Sequence, residues 1–272
     1  MKTEIYTNKK GNYVYRWTNQ VTPDREENWE IELLRYTDPQ RKNLAESAAT
    51  YLNKEDTDNV NRPINIMKKR HTLTIYRQET ATFKFRNVPK QVYDHLVTYT
   101  LATRIAGGNR AIVAQDFVTP IDKTKDKENV VKHLQEALDK YHELAEKESP
   151  QVARCIMGAN FTMAPFIFTF NFQNLIKDVF PQRLWVPGAQ GLTYQVVKGM
   201  YELLKTQDKE LWEEVYELYG THRAEFDKAQ STLRKKQITV QDFVLLLKVE
   251  DQGKQLEEVI RKKFGELKSM WG

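Results

Sequence analysis

Residues 150–195 form the stretch that most constrains how this chain can fold, because they are strongly apolar and aromatic inside an otherwise polar sequence. Apolar side chains concentrated in one segment are stabilised by burial, so the other elements are expected to pack around it. The residues expected to form this core are Phe161, Phe166, Ile167, Phe168, Phe170, Phe172, Leu175, Ile176 and Val179.

Two arginines, Arg154 and Arg183, bracket this expected core and have no carboxylate close to them in the sequence. A buried charge without a partner is very costly, so an arginine beside a core needs an anion. A carboxylate from elsewhere in the chain satisfies that need, and so does a bound phosphate, which the guanidinium fork matches. The residues by themselves leave both alternatives open.

The composition is that of a soluble globular protein. The 272 residues are enough for one large domain or two small ones, with 40% hydrophobic and 29% charged residues. No apolar run approaches the roughly 20 residues of a membrane span, and the first residues lack the apolar core of a signal peptide. The single cysteine, Cys155, excludes an internal disulfide framework and is expected to be a small core residue. We therefore expect a cytoplasmic protein without a membrane partner.

The charged and metal-ligating residues exclude some classes of function and leave others open. The five histidines are scattered and form no paired ligand motif, so no metal site is expected. The net charge of +5 is mild, and it suits an anionic small ligand as well as a nucleic acid. Two short basic clusters, at 68–71 and 234–236, are more typical of a solvated surface than of a nucleic-acid interface. Nucleic acid is therefore an unlikely partner.

The first third of the chain carries the signals typical of strands. Alternation at 13–17 predicts a strand, and alternation over 71–86 predicts another with a possible hairpin at 77–79. Thr22-Pro23-Asp24 resembles a helix start and predicts a helix with Trp29, Leu33 and Leu34 facing inward. A second helix is predicted from Leu44, Ala48 and Leu52 at spacing four, followed by a loop over 53–63.

The remainder of the chain is expected to be mainly helical. Helices are predicted over 90 to about 104, 129–147, from Ser149-Pro150, 171–179, 190–205, 209–219, 240–249 and 253–268. The prediction is therefore an α+β fold, with a small antiparallel sheet in the first third packed against a helix-rich remainder. A single domain is expected over residues 1–272, with a helical extension from about residue 205.

Several short motifs follow one another between residues 87 and 195. They are Asn87-Val88-Pro89, ALDKYHEL at 137–144, PQVAR at 150–154, MGAN at 157–160, FIFTFN at 166–171 and RLWVPGAQ at 183–190. In order and spacing they resemble the flavin-dependent thymidylate synthases, most closely in the downstream half. The resemblance implies a fold of that family and a cytoplasmic homotetramer whose sites are shared between subunits.

The resemblance also implies a nucleotide site. In the family, three arginines hold the phosphate and base of dUMP, and they correspond here to Arg110, Arg154 and Arg183. Gly107, Gly108 and Asn109 precede the first of them and are either a backbone nest for phosphate oxygens or a plain turn. His95 lies near a family glutamine that approaches the base. The nucleotide-binding set implied is therefore Gly107, Gly108, Asn109, Arg110, His95, Arg154 and Arg183.

The cofactor half departs from the family. Where the family has an Arg-His-Arg signature that contacts flavin, this chain has Thr98, Tyr99 and Thr100. Asn171 matches a flavin-facing asparagine, whereas Lys177 stands where the family has another. Tyr99 either stacks on a flavin or base or packs in the core, and Lys177 either meets a phosphate or is solvated surface. FAD is the implied cofactor, with a folate and NADPH as co-substrates.

The function implied is a thymidylate synthase-like methyltransferase that passes a one-carbon unit from a folate to C5 of dUMP or a close analogue, using reduced flavin. Orientation and electrostatics carry most of such a reaction, so no protein residue is singled out as catalytic. Two alternatives remain open: an enzyme for another nucleotide or one-carbon carrier, and a non-catalytic or flavin-free nucleotide-binding protein.

Overall fold

A six-stranded antiparallel sheet in the order β1-β2-β3-β4-β6-β5 lies at the centre of the protein. The computed structural model describes residues 1–69, 71–107, 112–120, 124–186, 188–189 and 191–221. The strands are β1 (Lys2–Thr7), β2 (Tyr13–Thr22), β3 (Arg25–Tyr36), β4 (Thr80–Arg86), β5 (Thr103–Ala106) and β6 (Phe166–Asn171). The predicted α+β class is confirmed, but the sheet extends well beyond the first third of the sequence.

Helices surround this sheet. They are α1 (Lys42–Tyr51), α2 (Arg62–Lys68), α3 (Lys90–Leu96), α4 (Lys127–Lys147), α5 (Pro150–Ala153), α6 (Phe172–Asn174), α7 (Gly191–Lys205) and α8 (Lys209–Val215). Turns of π-helix follow at Leu175–Val179, Pro181–Trp185 and Tyr216–Thr221, and 3-10 turns lie at Thr74–Arg77 and Arg154–Ile156. Within the described ranges, no helix has the length and apolar character needed to cross a membrane.

One face of the sheet carries the main core, and α7 packs directly on it. Trp17 and Trp29 stack at 5.6 Å between ring centroids, and both are buried. Gly199 of α7 sits so close to the sheet that a Cβ there would lie 2.8 Å from Tyr15 and 2.9 Å from Ile31. The missing side chain therefore sets how near α7 approaches the sheet.

The opposite face of the sheet carries charged residues. Glu32 is buried, and its carboxylate accepts hydrogen bonds from Asn8 and Asn12 at 2.8 Å each and from the Arg86 guanidinium. Burial by itself raises the pKa of Glu32, but the bonds from Asn12, Arg86 and Asn8 outweigh it and lower that pKa to about 2. The carboxylate is therefore ionised at neutral pH, and its hydrogen bonds stabilise this face of the sheet.

The helix predicted from Thr22-Pro23-Asp24 is wrong. Residues 22–24 lie at the turn between β2 and β3, and Trp29 pairs with Trp17 across these two antiparallel strands. Glu27, Trp29, Ile31 and Leu33 are all buried, which is the period of two expected of a strand. The spacing of Trp29 and Leu33 also fits a helix, but hydrogen bonding to β2 makes this segment a strand.

Two boundaries around the predicted 71–86 strand and the 90–104 helix are also wrong. Only Thr80–Arg86 is a strand, because the 3-10 turn Thr74–Arg77 buries the consecutive residues Ile75 and Tyr76. The helix ends at Leu96, and Thr103–Ala106 forms β5 instead. Strand β6 supplies the partner for both β4 and β5, and this pairing is not visible from local sequence.

The amphipathic helices are predicted well. Helices α1, α4, α7 and α8 lie where periodicity placed them, and Ser149 caps α5 by accepting a hydrogen bond from the Val152 N–H. Three details differ. Helix α2 begins at the end of the predicted loop, Cys155 is exposed rather than in the core, and the helix after β6 runs past Pro181. The predicted helices at 240–249 and 253–268 lie outside the described residues.

Candidate functional site

Arg183 and Tyr99 form the centre of the candidate site. Arg183 lies on the π-helical turn Pro181–Trp185, is partly buried, and donates its Nε–H to the Tyr99 hydroxyl at 3.2 Å. The Tyr99 hydroxyl in turn lies 3.4 Å from the Gln182 amide oxygen. No carboxylate in the described part of the chain pairs with Arg183. The guanidinium therefore keeps its Nη groups for another partner.

The Tyr99 ring is part of the core. The residue is 6% exposed, and its ring meets Phe170 edge to face at 6.5 Å. Burial raises the pKa of Tyr99, while Arg183 opposes this rise, so the hydroxyl is neutral at neutral pH. The Tyr99 ring therefore packs in the core, and the stacking on a flavin that the resemblance implies stays a prediction.

His95 lies beside Arg183 at the end of α3. Its Nδ1 is 2.6 Å from the Thr193 hydroxyl of α7, and Thr193 is 2% exposed. Burial lowers the pKa of His95, and the positive charge of Arg183 lowers it further against the opposite effect of Asp94. A neutral imidazole and a guanidinium thus lie near each other where α3, α7 and the turn at 181–185 come together.

The residues expected to hold FAD do not fit that cofactor as the family resemblance implies. Thr98 donates its hydroxyl to the His95 carbonyl oxygen at 2.7 Å, and Thr100 is exposed. Asn171 caps α6 by accepting the Asn174 N–H, and Lys177 is exposed. With Tyr99 buried as well, these five positions offer one cation, Lys177, to the diphosphate of FAD.

The remaining expected nucleotide residues make no hydrogen bond or ion pair with Arg183 within the described ranges, or they lie outside those ranges. Arg154 is exposed at the end of α5, so the argument from a buried charge does not apply to it. Gly107 is partly buried against Ile112, while Gly108, Asn109 and Arg110 lie outside the described residues. The proposed nest therefore stays a prediction.

Two members of this site were missed in the sequence, Thr193 and Gln182. Thr193 lies on the buried face of α7, and a polar residue in that apolar row was the available signal. Nothing in the sequence singles out Gln182. No group of three or more His, Cys, Asp or Glu in the described ranges is placed to hold a metal ion.

A cleft of about 860 Å³ opens elsewhere on α7, lined by Trp185, Tyr194 and Tyr201 among others. Neither Arg183 nor His95 lines it. This cleft is therefore separate from the candidate site.

Comparison with known proteins gives one family and one set of solved structures. The model of the family described as Thy1, thymidylate synthase complementing protein, matches residues 32–208. A UMP/dUMP methylase, PolB, from Streptomyces cacaoi bound with 5-Br dUMP is similar in structure, with a TM-score of 0.56 and 18% sequence identity over 71% of this chain and 96% of that chain. The same enzyme bound with 5-Br UMP has a TM-score of 0.54 and 16% identity over 71% and 95%. At this identity the likeness establishes a shared fold. No curated protein matches the chain.

Proposed function

Because this chain belongs to the thymidylate synthase complementing protein family, we propose that it binds a pyrimidine nucleoside monophosphate and transfers a one-carbon unit to C5 of the base. The observation that carries the proposal is Arg183, whose Nε is held by Tyr99 while no carboxylate of the described residues pairs with it. A partly buried cation with free Nη groups suits a phosphate or a pyrimidine oxygen.

The substrate class follows from the groups beside Arg183. His95 is held by Thr193, and burial together with Arg183 lowers its pKa, so a neutral imidazole nitrogen is available to hydrogen-bond a base. Uracil presents both carbonyl oxygens and an N–H, which match a guanidinium and an imidazole. PolB was solved with bromo analogues of both dUMP and UMP. That supports testing the ribonucleotide as well as the deoxyribonucleotide.

A homo-oligomer, the tetramer that the family resemblance implies, would complete this site. Arg154 lies in the sequence between two exposed apolar residues, Val152 and Ile156. Two more apolar residues are exposed near β5: Leu101 just before the strand and Ile105 within it. Apolar side chains grouped on a surface are typical of a protein interface. Arg154 is therefore proposed to enter the site of a neighbouring subunit, where it and Arg110, with Gly107, Gly108 and Asn109, would meet the nucleotide phosphate.

The family resemblance implies a folate as the carbon donor and FAD with NADPH as the reductant. No step is assigned to the flavin, because positions 98–100, 171 and 177 do not fit it. The burial of Tyr99 and the neutral Thr98 and Thr100 favour a second candidate function, a flavin-free nucleotide-binding protein. The two functions share the Arg183 site and differ in turnover.

Nucleotide binding tests the shared site. The protein is titrated with dUMP, UMP and dCMP by calorimetry, and Arg183→Gln is expected to weaken binding by about 1.5–3 kcal/mol, the range for a hydrogen bond to a charged group. Arg35→Gln is the matched control, because Arg35 is exposed on β3 and makes no ion pair with another described residue. Absence of binding for all three nucleotides refutes the proposal.

Turnover separates the two functions. The absorbance spectrum of the purified protein is recorded first, since bound flavin has a characteristic yellow absorption. Release of tritium from C5 of labelled dUMP and UMP is then followed with a methylene folate, FAD and NADPH. Release above the level of Arg183→Gln supports the methylase, whereas nucleotide binding with a colourless protein and no release supports the flavin-free function.

A further inference from the structure

We infer that Tyr99 is a positioning residue for the nucleotide arginine, holding Arg183 in the orientation that presents its two Nη groups to the ligand. This inference rests on the proposed nucleotide binding. It concerns a residue that the family resemblance places among the flavin contacts, and it gives that residue a different task in this chain.

The first step is that the Tyr99 oxygen is fixed in place. The ring is packed edge to face on Phe170, which is itself fully buried in β6. A ring packed in this way has little freedom to rotate or withdraw. The hydroxyl is therefore a rigid point at the edge of the core, unlike a solvated side chain that reorients freely.

The second step is the direction of the hydrogen bonds. A guanidinium carries only donor groups, so the Arg183 Nε–H donates to the Tyr99 oxygen. The Tyr99 hydroxyl proton is then left to point at the Gln182 amide oxygen. Burial raises the pKa of Tyr99, which keeps that proton in place at neutral pH. The three residues form a chain that runs from guanidinium to hydroxyl to amide.

The third step is what remains free on Arg183. A guanidinium binds an oxyanion through one of its edges, using two parallel N–H groups. With Nε engaged, the edge formed by Nη1 and Nη2 is the one left for a bidentate contact. Tyr99 thereby determines which edge of the Arg183 guanidinium faces the ligand. Without the Tyr99 hydroxyl, the Arg183 side chain is no longer held in one orientation.

The experiment is a double-mutant cycle on the full-length protein, measured as the dissociation constant for dUMP and UMP. Tyr99→Phe removes the hydroxyl and keeps the buried ring, and it is expected to weaken binding about tenfold. Arg183→Lys keeps a cation but places a methylene where Nε was. In the Arg183→Lys protein, Tyr99→Phe is expected to raise the dissociation constant less than about twofold, because Tyr99 acts through the Arg183 Nε–H, which lysine lacks.

Tyr93→Phe is the matched control. Tyr93 lies on α3, packs edge to face on Phe166 and Phe168, and its hydroxyl makes no hydrogen bond to another described residue. Its loss is expected to leave the dissociation constant unchanged. Thermal unfolding of each variant without ligand shows whether Tyr99→Phe acts by destabilising the fold, which is expected to remain intact because the ring is retained.

The outcomes separate the inference from the proposed function. If the unmodified protein binds no pyrimidine nucleotide, the proposed function fails and the inference fails with it. If it binds and Tyr99→Phe binds equally well, or if the full tenfold loss persists with Arg183→Lys, only the role of Tyr99 is overturned. A tenfold loss that disappears in the Arg183→Lys background, with Tyr93→Phe unaffected, supports it.

Discussion

Replacing Gly199 with alanine tests how closely α7 lies on the sheet, and therefore the frame of the candidate site. The added Cβ would lie 2.8 Å from Tyr15 and 2.9 Å from Ile31, well short of the ordinary carbon contact of about 3.5–4.0 Å. Overpacking of this kind typically costs about 1–3 kcal/mol. An alanine in a helix interior, however, gains about 1 kcal/mol over glycine.

These two terms oppose each other, and the structure decides the sign. The Cβ meets the side chains of Tyr15 on β2 and Ile31 on β3, which are both buried in the core and have little room to shift, so crowding is expected to win. We expect Gly199→Ala to lower the free energy of unfolding by about 1–2 kcal/mol. Without the close approach, the same substitution would stabilise the protein by about 1 kcal/mol.

Urea denaturation at neutral pH measures this difference, with Gly11→Ala as the comparison. Gly11 has a φ of 82° and nothing within 4 Å of an added Cβ, so its substitution tests backbone strain without crowding. Because α7 also carries Thr193, Gly199→Ala is expected to weaken nucleotide binding, whereas Gly11→Ala is not. A stabilised Gly199→Ala protein would refute the packing described for α7.

Three further predictions concern single groups. The pKa of Glu32 is lowered to about 2 in the fold, so its contribution to stability is present above about pH 4.5 and is lost as the pH falls toward 2. Glu32→Gln is expected to lower the free energy of unfolding by about 1–3 kcal/mol at pH 7. Urea titrations at several pH values are expected to show a weaker loss of stability in acid for this variant. Arg183→Gln is expected to raise the pKa of His95, because a neighbouring positive charge is removed, and an NMR titration of the imidazole measures it; an unchanged or lower pKa contradicts the placement of Arg183. Thr193→Val is expected to weaken nucleotide binding about threefold to tenfold by freeing His95, with Thr193→Ser restoring it, and equal affinities for all three proteins would rule out that role.

The proposed nucleotide site was only partly visible in the sequence. Arg183 stood out because a cation beside an apolar stretch needs a partner, and in the described residues it has no carboxylate. The same reasoning failed for Arg154, because whether a side chain is buried depends on what packs over it. His95 and Tyr99 were recognised as candidates, but their partners Thr193 and Gln182 lie on elements distant in sequence.

The sequence by itself determined the elements whose signal is local. The apolar faces of α4 and α7 repeat with helical spacing over many residues, and Ser149 caps its helix with a hydroxyl three residues from the N–H it accepts. Such features depend on neighbours within one or two turns, so local periodicity is sufficient to place them.

Only the tertiary structure decided the rest. Strand β3 was predicted as a helix, and β5 and β6 were not foreseen, because short apolar runs become strands only when a distant strand pairs with them. The orientation of Tyr99 likewise depends on distant residues, because its ring packs on Phe170 and its hydroxyl accepts a hydrogen bond from Arg183. Both depend on contacts between residues far apart in the chain, whose pairing is set by global packing rather than by local sequence.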